Sequence, residues 1–265
     1  FMTQSDMDNK KTCIFVGHHK MVVTHAGDGQ APTLPTMADV ARLLPPGTRP
    51  IAVHAPQMEL WATSVSQWAD TDRLTATEFR PLFFSMGKDE FRAACKAKQL
   101  AYWDAQSHYC PECGHAMELM TDIAKKCPAC GHETYPPISP AIIVRVERGT
   151  EEILLVKARN FRGDHYGLVA GFVETGETLE ECVRREVKEE TGLDIKDIRY
   201  AGNQPWPFPS GLMIGFVAQY AGGEITVQEE ELTDARFFRR GELPAIPDKM
   251  SIARRLIDEW TGESY

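Results

Sequence analysis

No stretch of this chain approaches the ~18 consecutive apolar residues of a membrane-spanning helix, so an α-helical span is excluded. Positive charge is also short. Lys and Arg number 29 against 38 Asp and Glu, a net charge of −9. That balance argues against wholesale binding to nucleic acid or an acidic membrane. It leaves room for a phosphorylated ligand held through a metal. There is no internal repeat and no low-complexity tract, which removes solenoids and disordered arrays. No signal-peptide pattern is visible. Cysteines number only 7, with three of them scattered. An odd count with isolated thiols suits a reducing compartment, so the cytoplasm is the expected location.

What is present fills 265 residues, enough for one large or two ordinary domains. From Thr12 to about Gly87, short apolar runs (CIFV, MVV, IAVHA, LWATSV) alternate with Pro- and Gly-rich turns. This pattern predicts a small α+β domain. MADVARLL is a short helical candidate, and Lys88 to Gln106 predicts an amphipathic helix. PAIIVRVE and EILLVKA predict paired strands around the turn RGTE. GLVAGFV, DIRYAGN, LMIGFVAQY and EITVQ predict further strands, and SIARRLIDEWTG a terminal helix. The fold class is therefore α/β (α+β). The expected domains are 1–105 (N-terminal α+β), 106–136 (cysteine-rich) and 137–265 (an α/β sandwich).

Cys110-Pro-Glu-Cys113 and Cys127-Pro-Ala-Cys130 form two CxxC pairs, each followed by Gly-His. A CxxC turn aims both sulfurs inward, and two such turns close a tetrahedron around Zn²⁺. Four cysteines fill that shell, so His115 and His132 are read as turn residues. A closed site of this kind is structural. A pair of redox CxxC motifs is the competing reading, and a ribbon of this type can also serve as a nucleic-acid module.

The stretch GFVETGETLEECVRREVKEETGL, from Gly171 to Leu193, is the most informative. Thr178 and Glu181 make a capping box, so a helix starts there. At ~100° per residue, Leu179, Cys182, Val183 and Val187 share one stripe with Glu186 and Glu190. Glu189 flanks it. A glutamate cluster on a helix is ordinarily a solvated face, but inward carboxylates need compensation. A hard divalent cation bound through oxygen provides it.

These residues also resemble a known family. Gly171, Glu177, Arg185-Glu186-Val187, Glu189-Glu190 and Gly192-Leu193 match every fixed position of the Nudix box, G-x5-E-x7-R-E-U-x-E-E-x-G-U, where U is bulky aliphatic. The resemblance implies a Nudix α/β/α sandwich and a Mg²⁺- or Mn²⁺-dependent hydrolase of nucleoside diphosphates linked to another group. It implies metal ligands at Ala170 (through its carbonyl), Glu186, Glu189, Glu190 and Glu231, with Glu229 and Glu230 adjacent to the last. It makes Glu190 the group that orients or deprotonates water, with Glu186 and Arg185 beside it in the catalytic set.

A second stretch, Gln204-Pro-Trp-Pro-Phe-Pro209, has proline at every second position, which predicts a stiff extended segment displaying Trp206 and Phe208. Packing two aromatics onto a core is the plainer reading. With the cysteine pairs, Tyr135-Pro136…Pro140 and the Nudix box in the same order, the segment resembles the signature of NADH pyrophosphatases within the Nudix group. That resemblance covers roughly residues 88 to 265. It implies a four-cysteine zinc ribbon, a degenerate Nudix-like N-terminal domain and a homodimer. Substrate positions of that family match Asp122, Tyr135, Phe172, Gln204, Pro205, Trp206, Pro207, Phe208, Pro209, Ser210, Gly211 and Ala253. Phe172 and Tyr135 of the partner subunit would sandwich the nicotinamide. Asn203 and Pro137 depart from the usual pattern, which has Ser and often Arg there. The expected reaction is hydrolysis of NADH or NAD to nicotinamide mononucleotide plus AMP, and of 5′-NAD caps on RNA to leave a 5′-monophosphate. The alternatives are a broader dinucleotide or ADP-ribose pyrophosphatase, and a non-catalytic nucleotide-sensing or nucleic-acid-binding protein.

Overall fold

The computed structural model describes residues 8–25, 30–56, 58–159 and 164–263. Two compact units emerge: one runs to Pro137 and takes in Pro207–Ser210, and the other holds Ile138–Trp206 and the chain from Gly211 onward. None of the helices among the described residues is long and apolar enough to cross a membrane.

The first unit is built on five strands, β1 (Lys11–Val16), β2 (Lys20–Thr24), β3 (Ile51–Ala55), β4 (Met58–Val65) and β5 (Leu74–Glu78). Their order is β3-β4-β1-β2-β5, with β1 and β4 parallel and the other neighbours antiparallel. Strand alternation sends Cys13 and Phe15 to one face and Ile14 to the other. The first face is covered by the helix α2 (Lys88–Gln106), whose Phe91, Ala94, Ala97, Leu100 and Ala101 enter the core. The predicted bounds of this helix are met. MADVARLL yields only one turn, α1 (Met37–Val40), capped by Thr36 and Asp39. Next, β6 (Glu118–Thr121), β7 (Ala124–Lys126) and β8 (Glu133–Thr134) form a small antiparallel ribbon. Lys125 fastens the ribbon to α2. It is buried, 2.7 Å from an Asp104 carboxylate oxygen, and its ammonium lies 5.2 Å from the Trp103 ring centroid.

The second unit has six strands: β9 (Ser139–Arg148), β10 (Glu152–Ala158), β11 (Val169–Phe172), β12 (Asp194–Trp206), β13 (Gly211–Gly222) and β14 (Leu232–Arg239). The order is β12-β13-β9-β10-β14, and β11 lies along β9. Runs such as AIIV and ILLV are apolar without interruption because both faces of this sheet are covered. On one side Ile142, Val144, Leu154 and Val156 meet Cys182, Val183 and Val187 of α3 (Leu179–Thr191). On the other, Ile143, Ile153 and Leu155 meet Ile252, Leu256, Ile257 and Trp260 of α4 (Ile252–Thr261). The result is the expected α/β/α sandwich.

Two local readings are corrected. EITVQ is not a strand: it crosses the end of α3, where Thr226 N–H donates to the Thr191 carbonyl and Gln228 N–H to that of Glu190. Those carbonyls have no partner inside the helix. DARFFR, by contrast, is the edge strand β14. The proline segment is also not extended throughout. Gln204 to Trp206 end β12, Trp206 pairs with Gly211, and Pro207–Ser210 turn the hairpin.

Candidate active site and metal centre

The capping box is present in full at the start of α3. The Thr178 side chain accepts from Glu181 N–H while the Glu181 carboxylate accepts from Thr178 N–H. This start sets the rotation of the helix. Glu186 and Glu190 are then buried, at 9% and 5% exposure, beside Cys182, Val183 and Val187. Glu189 lies on the exposed flank.

Arg185 is the organising cation. Its guanidinium donates to both Glu177 oxygens at 2.7 and 2.9 Å, to Glu186 Oε1 at 2.8 Å and to Glu189 Oε2 at 3.1 Å. It also donates to the Phe172 carbonyl at 3.0 Å, which ties the end of β11 to the helix. Gly171 leaves the space that Glu186 uses. A Cβ at Gly171 would lie 1.9 Å from the Glu186 carboxyl carbon. The first glycine of the box is thus a close-approach position.

Burial, then the nearby Glu186, Glu231 and Glu189 charges, push the Glu190 carboxyl up to about 8. Burial also raises Glu186, against the opposing effect of Arg185. Among the three consecutive glutamates of the following loop, Glu231 is the one whose charge acts on both buried carboxyls. Ala170 sits on β11 opposite Ile143, directly before Gly171. The oxygens of this cluster do not converge within 4.8 Å as a set of three. The donors are all oxygen, held around a region of uncompensated negative charge, which fits a hard divalent cation.

The cysteine centre is tighter. The sulfurs of Cys110, Cys113, Cys127 and Cys130 all lie within 4.8 Å of one another. Neighbouring pairs stand 3.4–3.5 Å apart. Zn–S bonds of ~2.3 Å in a tetrahedron require about 3.8 Å, so the set fits zinc with a small adjustment. The two turns are near copies. Cys110 and Cys127 N–H donate to the His115 and His132 carbonyls, while Gly114 and Gly131 N–H donate back to Cys110 and Cys127. Gly114 and Gly131 adopt φ of +75° and +82°, a region that favours glycine. Among the described residues neither histidine joins the metal cluster, and His132 Nδ1 lies 3.1 Å from Glu112.

The other residues singled out by sequence are spread over both units. Phe172 is 65% exposed at the end of β11, and Tyr135 is 56% exposed with its hydroxyl donating to Glu133. Gln204 spans to α4, donating to the Met250 carbonyl and accepting from Ile252 N–H. Pro205 and Trp206 are on β12, exposed and half-buried respectively. Pro207 and Ser210 are buried, Pro209 is exposed, and Phe208 stacks at a tilt 5.9 Å from Phe79 in the first unit. Gly211 opens β13, Ala253 is a buried residue of α4, and Asp122 contacts His54 Nδ1 at 3.2 Å. Sequence reading missed the helix-capping role of Gln204. A Gln before a proline carries no local sign of a partner 48 residues away.

An α/β/α sandwich with a buried, arginine-braced glutamate pair on one helix defines a Nudix-type protein. Residues 137–260 match the NUDIX domain, and the chain belongs to the Nudix family. It is 48% identical over 171 residues to a protein of Stutzerimonas stutzeri named NAD-capped RNA hydrolase NudC, a match covering 64% of this chain and 62% of that protein. A protein of the same name from Chromobacterium violaceum is 45% identical over 179 residues, covering 67% of each. The matched part of the chain thus spans about two thirds of these relatives or slightly less. A crystal structure of a NUDIX hydrolase from Nitrosomonas europaea is similar at a TM-score of 0.48 and 23% identity, covering 58% of this chain and 93% of that one.

Proposed function

We propose that this protein hydrolyses the pyrophosphate bond of NADH or NAD to nicotinamide mononucleotide plus AMP. The same bond in a 5′-NAD-capped RNA is its second substrate and leaves a 5′-monophosphate. The observation that carries this reading is the buried pair Glu186 and Glu190 on one helix, with Arg185 bonded to Glu186. It is supported by the similarity to the relatives named above. Glu186, Glu189, Glu190, Glu231 and the Ala170 carbonyl would hold Mg²⁺ or Mn²⁺, which would supply charge neutralisation and activation of water.

Glu190 orients the attacking water or takes its proton. Arg185 keeps Glu186 and Glu189 aimed at the same region and keeps the Phe172 carbonyl in place. Phe172 offers an exposed ring on which the nicotinamide stacks, with Tyr135 of the partner subunit on its other side in a homodimer. The segment Gln204–Gly211, with Asp122 and Ala253, makes up the rest of the substrate surface. Zn²⁺ at the four cysteines is structural, one per chain, and the protein works in the cytoplasm.

The test is turnover of NADH, NAD, ADP-ribose and NAD-capped RNA with and without Mg²⁺. Glu190→Gln should lower kcat roughly 10²- to 10⁴-fold with an unchanged melting temperature. Metal-independent turnover, or wild-type rates in that variant, rejects the assignment. A higher kcat/KM for ADP-ribose than for NADH replaces the substrate with a broader one.

A further inference from the structure

A cavity of about 510 Å³ lies within the first unit, and no residue of the zinc ribbon is in its wall. Its wall includes Phe15, Tyr102 and Phe208, with His19 and Ser66 among the polar positions. Its size and its largely apolar lining with a few polar groups are those of a small-molecule site.

Lys98 also lines it, and among the described residues no carboxylate pairs with its ammonium. It is 7% exposed. Among the described residues its ammonium makes one hydrogen bond, to the His18 carbonyl at 2.8 Å. Two ring faces lie beside it, with Phe15 and Phe79 centroids at 5.2 and 5.6 Å, and the Cys95 thiol is near enough to act on its charge. Burial lowers its pKa, and the opposing influence comes from the Cys95 thiol, not from a carboxylate. The contrast with Lys125 in the same unit is direct. That buried lysine has Asp104 as counter-ion and two carbonyls as acceptors. An ammonium that is desolvated and left without an anion is costly, and the pair is completed when an anion enters. The aromatic wall selects the body that carries the anion, since flat rings stack or meet edge to face.

We propose that this cavity is a second binding site, for a small aromatic carboxylate whose anion pairs with Lys98 and whose ring lies among Phe15, Tyr102 and Phe208. The site has none of the box glutamates in its wall and stands whether or not that function holds. It shares Phe208 and Pro209 with the segment proposed above as substrate surface, which is why competition with NADH is part of the test.

The test uses the full zinc-loaded chain and two probes of equal shape, indole-3-carboxylate and neutral indole-3-carboxamide, in calorimetric titrations. The carboxylate should bind at least about tenfold more tightly, the range of a hydrogen bond to a charged group. Lys98→Met keeps the apolar stem and should abolish that preference. Backbone amide shifts on the wild-type chain should centre on Gly17, Lys98 and Tyr102, and this readout needs no variant. Saturating NADH without metal should leave carboxylate binding unchanged. Equal affinity for the two probes overturns the proposal. So does a preference that survives in folded Lys98→Met, a shift map centred elsewhere, or displacement by NADH, which would assign the cavity to the dinucleotide.

Discussion

At the scale of single residues, the active centre depends on Gly171 as much as on any glutamate. Its missing side chain is the room in which the Glu186 carboxylate lies. Gly171→Ala should move that carboxylate by about an ångström or more, and kcat should fall on the order of 10²-fold. Circular dichroism and kinetics on the same sample check this, and an unchanged kcat would show that the glutamate has another place to sit. Phe172 makes a complementary case. The ring is mostly exposed, so it fills no core. Phe172→Ala should therefore change stability by less than about 0.5 kcal/mol. NADH binding should weaken roughly 5- to 150-fold, the value of one stacked base. A large drop in melting temperature with unaltered KM would return the ring to a packing role.

At the scale of elements, α3 is an unusual helix because its buried stripe is partly acidic. Arg185 and its carboxylate partners compensate for part of that. The two hydrogen bonds from Arg185, followed by the Glu174 N–H, hold the Glu177 carboxyl down to about 2. A folded pKa below the unfolded one gives stability that is complete above the unfolded value of 4.5 and is lost as pH falls toward 2. The melting temperature should thus decline between pH 5 and pH 2, and less steeply in Glu177→Gln. Parallel pH profiles for the two proteins would remove Glu177 from the acid response. Thr178→Ala should cost about 1 kcal/mol through loss of the cap, read from denaturant midpoints. On the opposite face, Leu256 is fully buried, and Leu256→Ala should cost about 2–5 kcal/mol.

For the molecule as a whole, the cysteine tetrad is expected to decide whether the ribbon is folded at all. The ribbon has three short strands, and every residue of β6 is exposed. Little apolar area is available there, so metal-binding energy has to serve as folding energy. Metal analysis should find one zinc per chain, and a strong chelator or Cys127→Ser should lower the melting temperature. Zinc-free protein that melts like the native form would contradict this.

The sequence alone determined the Nudix box, the cysteine tetrad, the bounds of α2 and the inward turn of Glu186 and Glu190. Each of these rests on fixed spacing within a few residues, where helix periodicity and turn chemistry act locally. The tertiary structure decided the rest. It converted the proline segment into a hairpin turn, because Trp206 pairs across to Gly211. It laid EITVQ over open helix carbonyls instead of into the sheet. It gave Gln204 a partner on a distant helix. It left Lys98 buried among rings without a carboxylate. None of these has a short-range signature, because each depends on which backbone groups and charges distant segments bring alongside.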